Sequence, residues 1–216
     1  MTLLKRTYDA SWGRLFARLY DRALAASEHG GLGARRAELL AAARGRVLEI
    51  GAGTGVNLPY STEAVTELTL TEPFEPMARQ LRERADALGG EAAVIVAPAE
   101  RLPVEDASID TVVVTLVLCT VGDVGVTLAE IERVLVPGGR LLFLEHVRSE
   151  DPALARWQDR LERPWRFIGH GCHPNRDTLA AIEASPLEVV EVERGSVPKA
   201  AAFVRPMLAG SARRPG

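Results

Sequence analysis

Short apolar runs alternate along the chain with stretches in which apolar residues recur every three or four positions. The runs predict strands, and the stretches between the later runs predict helices at residues 75–88 and 123–135. The five strands are expected at residues 46–50, 68–71, 93–96, 111–118 and 140–147. This alternation is typical of an α/β domain with a mostly parallel sheet flanked by helices.

The remaining segments extend this pattern at both ends. Two further runs, residues 187–193 and 200–204, predict an antiparallel strand pair that closes a seven-stranded sheet. The expected parts of the chain are a helical segment at residues 1–44, the main domain at 45–208 with a helical insertion at about 150–185, and a disordered tail at 209–216.

Closely spaced glycines follow the first predicted strand. Gly51, Gly53 and Gly55 allow a tight turn and the close approach of a ligand to the backbone. In a dinucleotide fingerprint the third glycine comes one position later and opens a long helix, which Pro59 would interrupt here. Glu72 ends the second predicted strand, where a carboxylate can accept hydrogen bonds from both hydroxyls of a ribose. The pattern therefore indicates a nucleoside site without a pyrophosphate.

Charge, apolar run length and cysteine content restrict the kinds of partner that the protein is expected to bind. The chain has 26 Lys and Arg against 29 Asp and Glu, a net charge of −3, so we expect no nucleic-acid partner. The longest apolar run, residues 111–119, is about half the roughly 20 residues of a membrane span, so no integral membrane segment is expected. Two cysteines form no disulfide framework, which is typical of a cytoplasmic protein. The expected partner is a small molecule, and the sequence does not indicate an oligomeric state.

Four segments match the motifs of a known family in order. These segments are Glu49-x-Gly51-x-Gly53-x-Gly55, the acidic Glu72, Ala99-Glu100-Arg101-Leu102-Pro103, and Arg133-Val134-Leu135-x-Pro137-Gly138-Gly139. Over residues 45–147 the chain resembles the class I S-adenosylmethionine-dependent methyltransferases. The resemblance implies a Rossmann-like fold, S-adenosylmethionine as cofactor and methyl transfer as the reaction.

The same resemblance implies where the cofactor lies. It places residues 51–55 against the methionine part, Glu72 on the ribose, and Ala99 and Glu100 beside the adenine. Many members carry an acid before the Ala-Glu pair to bind the adenine amino group, and this chain has Pro98 there. The implied contacts are Glu49, Gly51, Ala52, Gly53, Thr54, Gly55, Asn57, Glu72, Pro73, Phe74, Met77, Ala99, Glu100, Arg101, Thr115, Leu116 and Leu118.

A closer resemblance extends over residues 45–205. The matching segments are Thr115-Leu116-Val117-Leu118-Cys119, Glu145-His146-Val147, Trp157-Gln158, Pro164-Trp165, Gly171-Cys172 and Arg176-Asp177. They are similar to those of the methyltransferase-like 7 group, which are membrane-anchored alkyl-thiol S-methyltransferases. The first residues of this chain do not show the apolar anchor of that group. The resemblance implies a small thiol as methyl acceptor.

An amphipathic helix is predicted in the N-terminal segment. It could pack on the core, close over the methyl donor as a lid, or lie as a basic helix on an anionic membrane surface. We favour the lid, because a reactive sulfonium needs a cover that excludes water, and we expect Tyr20 to contact the cofactor. The apolar stripe is Trp12, Leu15, Phe16, Leu19 and Ala23, and the basic stripe is Arg14, Arg18 and Arg22.

Candidate residues for the acceptor lie later in the chain. His146 follows the fifth predicted strand, at the same sheet edge as the glycines, where it is either a general base or a structural histidine. A metal site is not expected, because His170, Cys172 and His173 lack the fourth ligand and the closed spacing of a structural zinc site. The expected acceptor contacts are Trp165, His170, Cys172, His173 and Arg176, although a large aromatic such as Trp165 is also typical of a core.

Three functions remain open at this point. We favour S-methylation of a small thiol. The second is N- or C-methylation of a phospholipid headgroup or a quinone, by enzymes that share the same core motifs. The third is cofactor binding without catalysis, which an assay for S-adenosylhomocysteine formation separates from the other two.

Overall fold

The architecture is a twisted seven-stranded sheet with helices on both faces, seen in a computed structural model that describes residues 8–89 and 92–216. The strands are β1 Gly45–Ile50, β2 Val65–Thr71, β3 Ala93–Ile95, β4 Ile109–Thr115, β5 Leu135–His146, β6 Glu188–Ser196 and β7 Pro206–Arg213. Their order in the sheet is β3-β2-β1-β4-β5-β7-β6. The pairs among β1 to β5 are parallel, and β7 runs antiparallel to both β5 and β6. The predicted Rossmann-like α/β fold with an antiparallel closing pair is confirmed.

Six α-helices lie in the described residues. They are α1 Arg14–Ser27, α2 Gly33–Leu40, α3 Glu75–Ala87, α4 Val124–Val134, α5 Pro152–Ile168 and α6 Thr178–Glu183. Aspartates cap the last three: Asp123, Asp151 and Asp177 each accept a hydrogen bond from a backbone N–H in the first turn, at 3.0, 2.8 and 3.1 Å. Within the part of the chain that the structure describes, no helix combines the length and the apolar character needed to cross a membrane.

The core lies on both faces of the central strands. Side chains alternate along β1 and β4, so that Leu48 and Val114 pack in one cluster with α4 and α6, whereas Val47 and Val113 pack on the other side with the end of α2. This two-sided burial is the reason why β4 and β5 are continuously apolar. It also fixes the register, since a shift of one residue would exchange the two faces.

The second closing strand was predicted in the wrong place. Residues 200–204 were expected to be a strand, but Ala202–Val204 is a 3-10 turn, and the strand is Pro206–Arg213. The tail expected at residues 209–216 is therefore wrong for residues 209–213, which pair with β5 and β6. Gly210 lies within this strand, and glycine is required there because a Cβ would collide with the backbone carbonyl of Glu191 and lie 2.8 Å from Phe143 Cζ.

The predicted strand at residues 111–118 is three residues too long at its end. β4 stops at Thr115, and Leu116 has φ +60, a left-handed conformation that a strand cannot contain. The next residues are apolar and buried, which gives the sequence of a turn the appearance of a strand.

The strand order creates a crevice at one edge of the sheet. The chain continues from β1 to β2 on one side and reaches β4 on the other, so the connections diverge next to β1. Ligands of open α/β sheets bind at such a switch point, outside the carboxyl ends of the strands. The carboxyl ends of β1, β2, β4 and β5 meet at this edge.

Candidate active site

The glycine loop after β1 is built from three left-handed residues. Gly51, Gly53 and Gly55 have φ of +63, +59 and +84. A Cβ on Gly51 would lie 2.8 Å from Val117 Cγ2, and one on Gly55 would press on two leucine side chains at 2.8 and 2.9 Å. On Gly53 the nearest atom would be Tyr20 Cε1 at 4.0 Å. The outer glycines thus serve packing, and only the middle one has space above its backbone.

Glu72 joins this loop to the end of β2. Its buried carboxylate accepts the backbone N–H of Gly53 at 3.0 Å and that of Phe74 at 2.9 Å. Burial raises the pKa of Glu72, and these two hydrogen bonds oppose the rise. Each oxygen has a further lone pair, so the carboxylate can still accept two hydroxyls. Pro73 continues the loop, and Met77 is buried in the first turn of α3.

A buried polar network supports the loop from below. Arg36 is 1% exposed, and it donates to Glu28 at 3.1 Å, to Asn57 Oδ1 at 2.9 Å and to Thr115 Oγ1 at 2.8 Å. Asn57 in turn donates to Glu49 Oε1 at 2.9 Å. Burial raises the pKa of Glu49 to about 7, against the opposing effects of Asn57 and Arg36. The expected contacts Glu49, Asn57 and Thr115 are therefore one hydrogen-bonded unit.

Helix α1 lies over the glycine loop. Asp21 accepts a hydrogen bond from Thr54 Oγ1 at 2.5 Å and forms an ion pair with Arg84 of α3 at 2.6 Å. The neighbouring Tyr20 lies near Gly53, since a Cβ on that glycine would stand 4.0 Å from Tyr20 Cε1. Burial raises the pKa of this tyrosine. The helix therefore covers the space above Gly53, the position required of a lid.

The turn after β4 is held by two charged side chains. The carboxylate of Glu145 is buried and accepts the backbone N–H groups of Val117, Leu118 and Cys119 at 2.8, 2.9 and 3.3 Å. Arg176 donates to the carbonyl oxygen of Leu118 at 2.5 Å. The guanidinium expected to contact the acceptor is thus bound to the backbone of this turn.

The segment expected beside the adenine is tied to the start of α4. Glu100 Oε1 accepts the backbone N–H of Gly122 at 2.8 Å and that of Asp123 at 3.4 Å. Ala99 is buried, whereas Arg101 is exposed. Glu100 therefore fixes the position of the segment relative to the helix.

His146 does not stand alone at the end of β5. Its Nε2 lies 2.8 Å from the Sγ of Cys172, and one ligand-type atom from each of Cys119, His146 and Cys172 lies within 4.8 Å of the others. Trp165 Nε1 donates to the same sulfur at 3.1 Å. The thiol of Cys119 and the imidazole of His146 lower the pKa of Cys172 to about 5, whereas the hydrogen bond to Cys172 and burial raise the pKa of Cys119. We call these three residues the Cys-His-Cys cluster.

The two histidines on either side of Cys172 point elsewhere. The His170 ring stacks on Phe16 with centroids 5.2 Å apart, and His173 Nδ1 lies 2.9 Å from Glu162 Oε1. The grouping of His170, Cys172 and His173 considered from the sequence is therefore not formed. Cys172 faces His146 instead.

Sequence reasoning missed two members of the site. Arg36 lies in the helical segment predicted at residues 1–44, and no local pattern in the sequence shows that it is buried. Cys119 had a usable signal, because it follows a predicted strand that ends at the same sheet edge as His146.

Comparison with known proteins agrees with this geometry. The family described as "Methyltransferase domain" matches residues 48–143. The chain is 35% identical over 178 residues to the thiol S-methyltransferase TMT1B of Homo sapiens, covering 80% of this chain and 73% of that protein. It is 36% identical over 151 residues to TMT1B of Rattus norvegicus, covering 68% of this chain and 62% of the relative, so this match spans less than two thirds of that protein's length.

Solved structures share the fold at lower identity. A methyltransferase of Thermotoga maritima described as a possible histamine N-methyltransferase superposes with a TM-score of 0.70 at 20% identity, covering 94% of this chain and 98% of that one. At this identity the likeness concerns the fold alone.

Proposed function

Because the chain belongs to the class I S-adenosylmethionine-dependent methyltransferases, we propose that it transfers the donor's methyl group to the sulfur of a small thiol. The observation that carries the choice of a thiol is the 35% identity to a thiol S-methyltransferase over 80% of the chain. This similarity extends beyond the domain shared by methyltransferases in general. It includes the segments that contain Cys119, His146 and Cys172.

We assign the donor to the space around Gly53. The left-handed loop leaves room above this glycine, and Glu72 can accept two ribose hydroxyls in addition to its two backbone N–H groups. The residues present therefore fit S-adenosylmethionine, which supplies an activated methyl group on a sulfonium. We assign Ala99 and Glu100 to the adenine side and Asn57 and Thr115 to the support of the loop.

Helix α1 is proposed as the lid of this donor site. Its contacts run through Asp21 to Thr54 and Arg84, and Tyr20 lies over Gly53. A cover at this place excludes water from the sulfonium and orders the donor for attack. Alignment of the nucleophile, methyl group and leaving sulfur can lower the activation barrier by about 7 to 11 kcal/mol.

The acceptor is assigned to the neighbourhood of His146, Cys172 and Trp165. A free thiol with a pKa near 8.5 is a few per cent thiolate at neutral pH, so it needs less help from a base than a phenol or an amine. His146 has one ring nitrogen on Cys172 and is proposed to act at the acceptor as part of this cluster.

A turnover screen tests the choice of acceptor class. Purified protein is given S-adenosylmethionine with an alkyl thiol, an amine, a phenol or phosphatidylethanolamine, and S-adenosylhomocysteine is measured. We expect turnover with the thiol only. Turnover with another class alone would replace the proposal by N-, C- or O-methylation, and donor binding without turnover on any acceptor would favour a binding protein.

A further inference from the structure

The Cys-His-Cys cluster is unusual for a buried group of side chains. Cys119, His146 and Cys172 are 1%, 8% and 6% exposed, and no other group of this kind occurs within residues 8–89 and 92–216. The chain's two cysteines both belong to it. Three different elements contribute: the turn after β4, the end of β5 and the loop after α5. Such a convergence is not required for packing, since a thiol and an imidazole fill space no better than apolar side chains.

The chemistry of these side chains is that of a soft metal site. Thiolate and imidazole are the ligands of Zn²⁺, with Zn–S of about 2.3 Å and Zn–N of about 2.0 Å. Ligand atoms at tetrahedral angles with these bonds stand about 3.5 to 3.8 Å apart. The cluster's 4.8 Å span includes this spacing, and the 2.8 Å contact between His146 and Cys172 needs to open by less than about 1 Å.

The charges balance when a divalent cation is bound. Two thiolates and a neutral imidazole around Zn²⁺ carry no net charge, whereas an isolated thiolate in the same buried place is costly. The ring of His146 also has a buried Nδ1 that finds no hydrogen-bond partner among the residues that the structure describes. A buried polar atom without a partner indicates that water, an ion or a ligand completes its surroundings.

Neighbouring groups would support such a site. The indole N–H of Trp165 already donates to the sulfur of Cys172, as outer-shell groups do to ligating thiolates. Backbone bonds fix the loops that carry the cysteines, since Glu145 accepts the N–H of Cys119 and the N–H of His173 donates to the carbonyl of Cys119 at 2.8 Å. Trp165, Glu145 and the backbone of His173 therefore fix the positions of the two cysteines.

The cluster lies next to the donor site. Val117, two residues before Cys119, packs against Gly51 of the glycine loop. A ligand bound at the cluster would thus face the same crevice as the methyl donor.

We propose that Cys119, His146 and Cys172 bind one Zn²⁺ ion and leave its fourth coordination position for the sulfur of the acceptor. Among the residues that the structure describes, only these three converge, and zinc sites with three protein ligands keep the fourth position for water or substrate. The second half of the proposal rests on the proposed thiol acceptor. On binding, the acceptor thiol releases its proton to solvent and becomes a zinc thiolate. The sequence predicts no metal site, because it places Cys172 with His170 and His173.

Cobalt substitution tests the metal site without any turnover. Protein freed of metal by a chelator is titrated with Co²⁺, and thiolate-to-cobalt charge-transfer absorption is followed in the near ultraviolet. We expect one Co²⁺ per chain, displaced by one Zn²⁺. Absence of this absorption, together with no zinc in elemental analysis of the purified protein, would overturn the proposal.

Variants locate the site in the chain. Cys172→Ser and His146→Gln should weaken Co²⁺ binding at least tenfold, and Cys172→Ser should also reduce the charge-transfer intensity. His29→Gln is the matched control, because His29 lies on the surface with its Nδ1 on the carbonyl of Ala25. Unchanged binding in both cluster variants would contradict the assignment. If a variant fails to fold, the titration of the unaltered protein still decides.

The fourth position is tested on the cobalt form by adding an alkyl thiol. We expect a new charge-transfer contribution and a changed visible spectrum, with no effect from an alcohol of the same chain length. If added thiols do not change the cobalt spectrum, the metal site stands but the proposal that the acceptor sulfur binds the ion is wrong. Turnover of thiols by protein that never binds metal would keep the proposed function and overturn the metal site.

Discussion

Individual residues of the glycine loop and the end of β2 have different roles in packing and in cofactor binding. Gly51 and Gly55 are required by packing, whereas Gly53, where an added Cβ would lie 4.0 Å from the nearest atom, is assigned to the donor. Glu72 has a double duty, because it binds two backbone N–H groups and is assigned to the ribose. These distinctions are invisible in the sequence, where the three glycines look equivalent.

Replacing Glu72 should weaken cofactor binding. Glu72→Ala removes the charged acceptor for the ribose hydroxyls, a contact of about 1.5 to 3 kcal/mol, so the Kd for S-adenosylhomocysteine should rise at least tenfold. Glu75→Ala is the control, since Glu75 is exposed and pairs with Arg82. Calorimetry measures both, with circular dichroism to show that the variants fold. Equal affinity in Glu72→Ala and the parent protein would contradict the assignment.

Two glycine variants should separate binding from stability. Gly53→Ala adds a methyl group that meets no atom of the chain closer than Tyr20 Cε1 at 4.0 Å but enters the space assigned to the donor. It should therefore lower donor affinity strongly, while backbone strain costs stability on the order of 1 kcal/mol. Gly55→Ala places a Cβ against two leucines and should lower the melting temperature more. Thermal unfolding and calorimetry on the two proteins test this. The opposite ranking would show that Gly53 does not face the ligand.

Glu49 should make stability depend on pH. Its folded pKa of about 7 exceeds the ordinary value of 4.5, so the folded state holds the proton more tightly than the unfolded state. Stability then falls as pH rises from about 4.5 to about 7, by up to roughly 3 kcal/mol, and the loss is complete above pH 7. Glu49→Gln lacks this loss and should gain stability relative to the parent between pH 5 and 8. Melting temperatures of the two proteins are measured across that pH range. A difference between them that does not change with pH would refute a raised pKa of Glu49.

At the scale of elements, helix α1 decides whether the donor site is covered. Its side-chain contacts with both the glycine loop and α3 include those of Asp21, which accepts a hydrogen bond from Thr54 and pairs with Arg84. Gln80 of α3 also donates to the carbonyl of Ala17 in α1 at 3.1 Å. The amphipathic pattern in the sequence allowed core packing, a lid or a membrane helix. The observed position over Gly53 supports the lid, although the pattern itself could not choose.

Loosening α1 should impair donor binding and leave the core folded. Asp21→Ala removes both contacts, so the KM for S-adenosylmethionine should rise several-fold, while Arg22→Ala, an exposed neighbour, should change little. Hydrogen exchange in residues 14–27 should slow when S-adenosylhomocysteine is added, less so in Asp21→Ala. If hydrogen exchange does not change when S-adenosylhomocysteine is added, and the KM of Asp21→Ala equals that of the parent, α1 has a structural role only.

The strands show why some elements were predictable. β1, β4 and β5 have apolar runs buried on two faces, and these runs were recognised to within about five residues. β7 was misplaced because its small residues, including Gly210, make room for Phe143 and for the adjacent strand, so it resembles a loop in sequence. Its burial depends on partners distant in the chain.

For the whole molecule, the sequence predicted the fold and the donor motifs, whereas the convergence of distant residues needed coordinates. The glycine loop and Glu72 are local signals with a fixed spacing. By contrast, the buried Arg36 and the Cys-His-Cys cluster depend on side chains that meet only when β4, β5 and the loop after α5 assemble. Of the predicted acceptor residues, Trp165 contacts Cys172, whereas His170, His173 and Arg176 have other partners.

Transfer of a labelled methyl group shows directly which atom of the acceptor this chain methylates. The protein is incubated with S-adenosylmethionine deuterated in its methyl group and an alkyl thiol that also carries a hydroxyl, and the product is analysed by mass spectrometry. We expect an equimolar yield of S-adenosylhomocysteine and a thioether with the label on sulfur. A label on oxygen, or no labelled product while the donor is bound, would contradict the claim that this chain is a thiol S-methyltransferase.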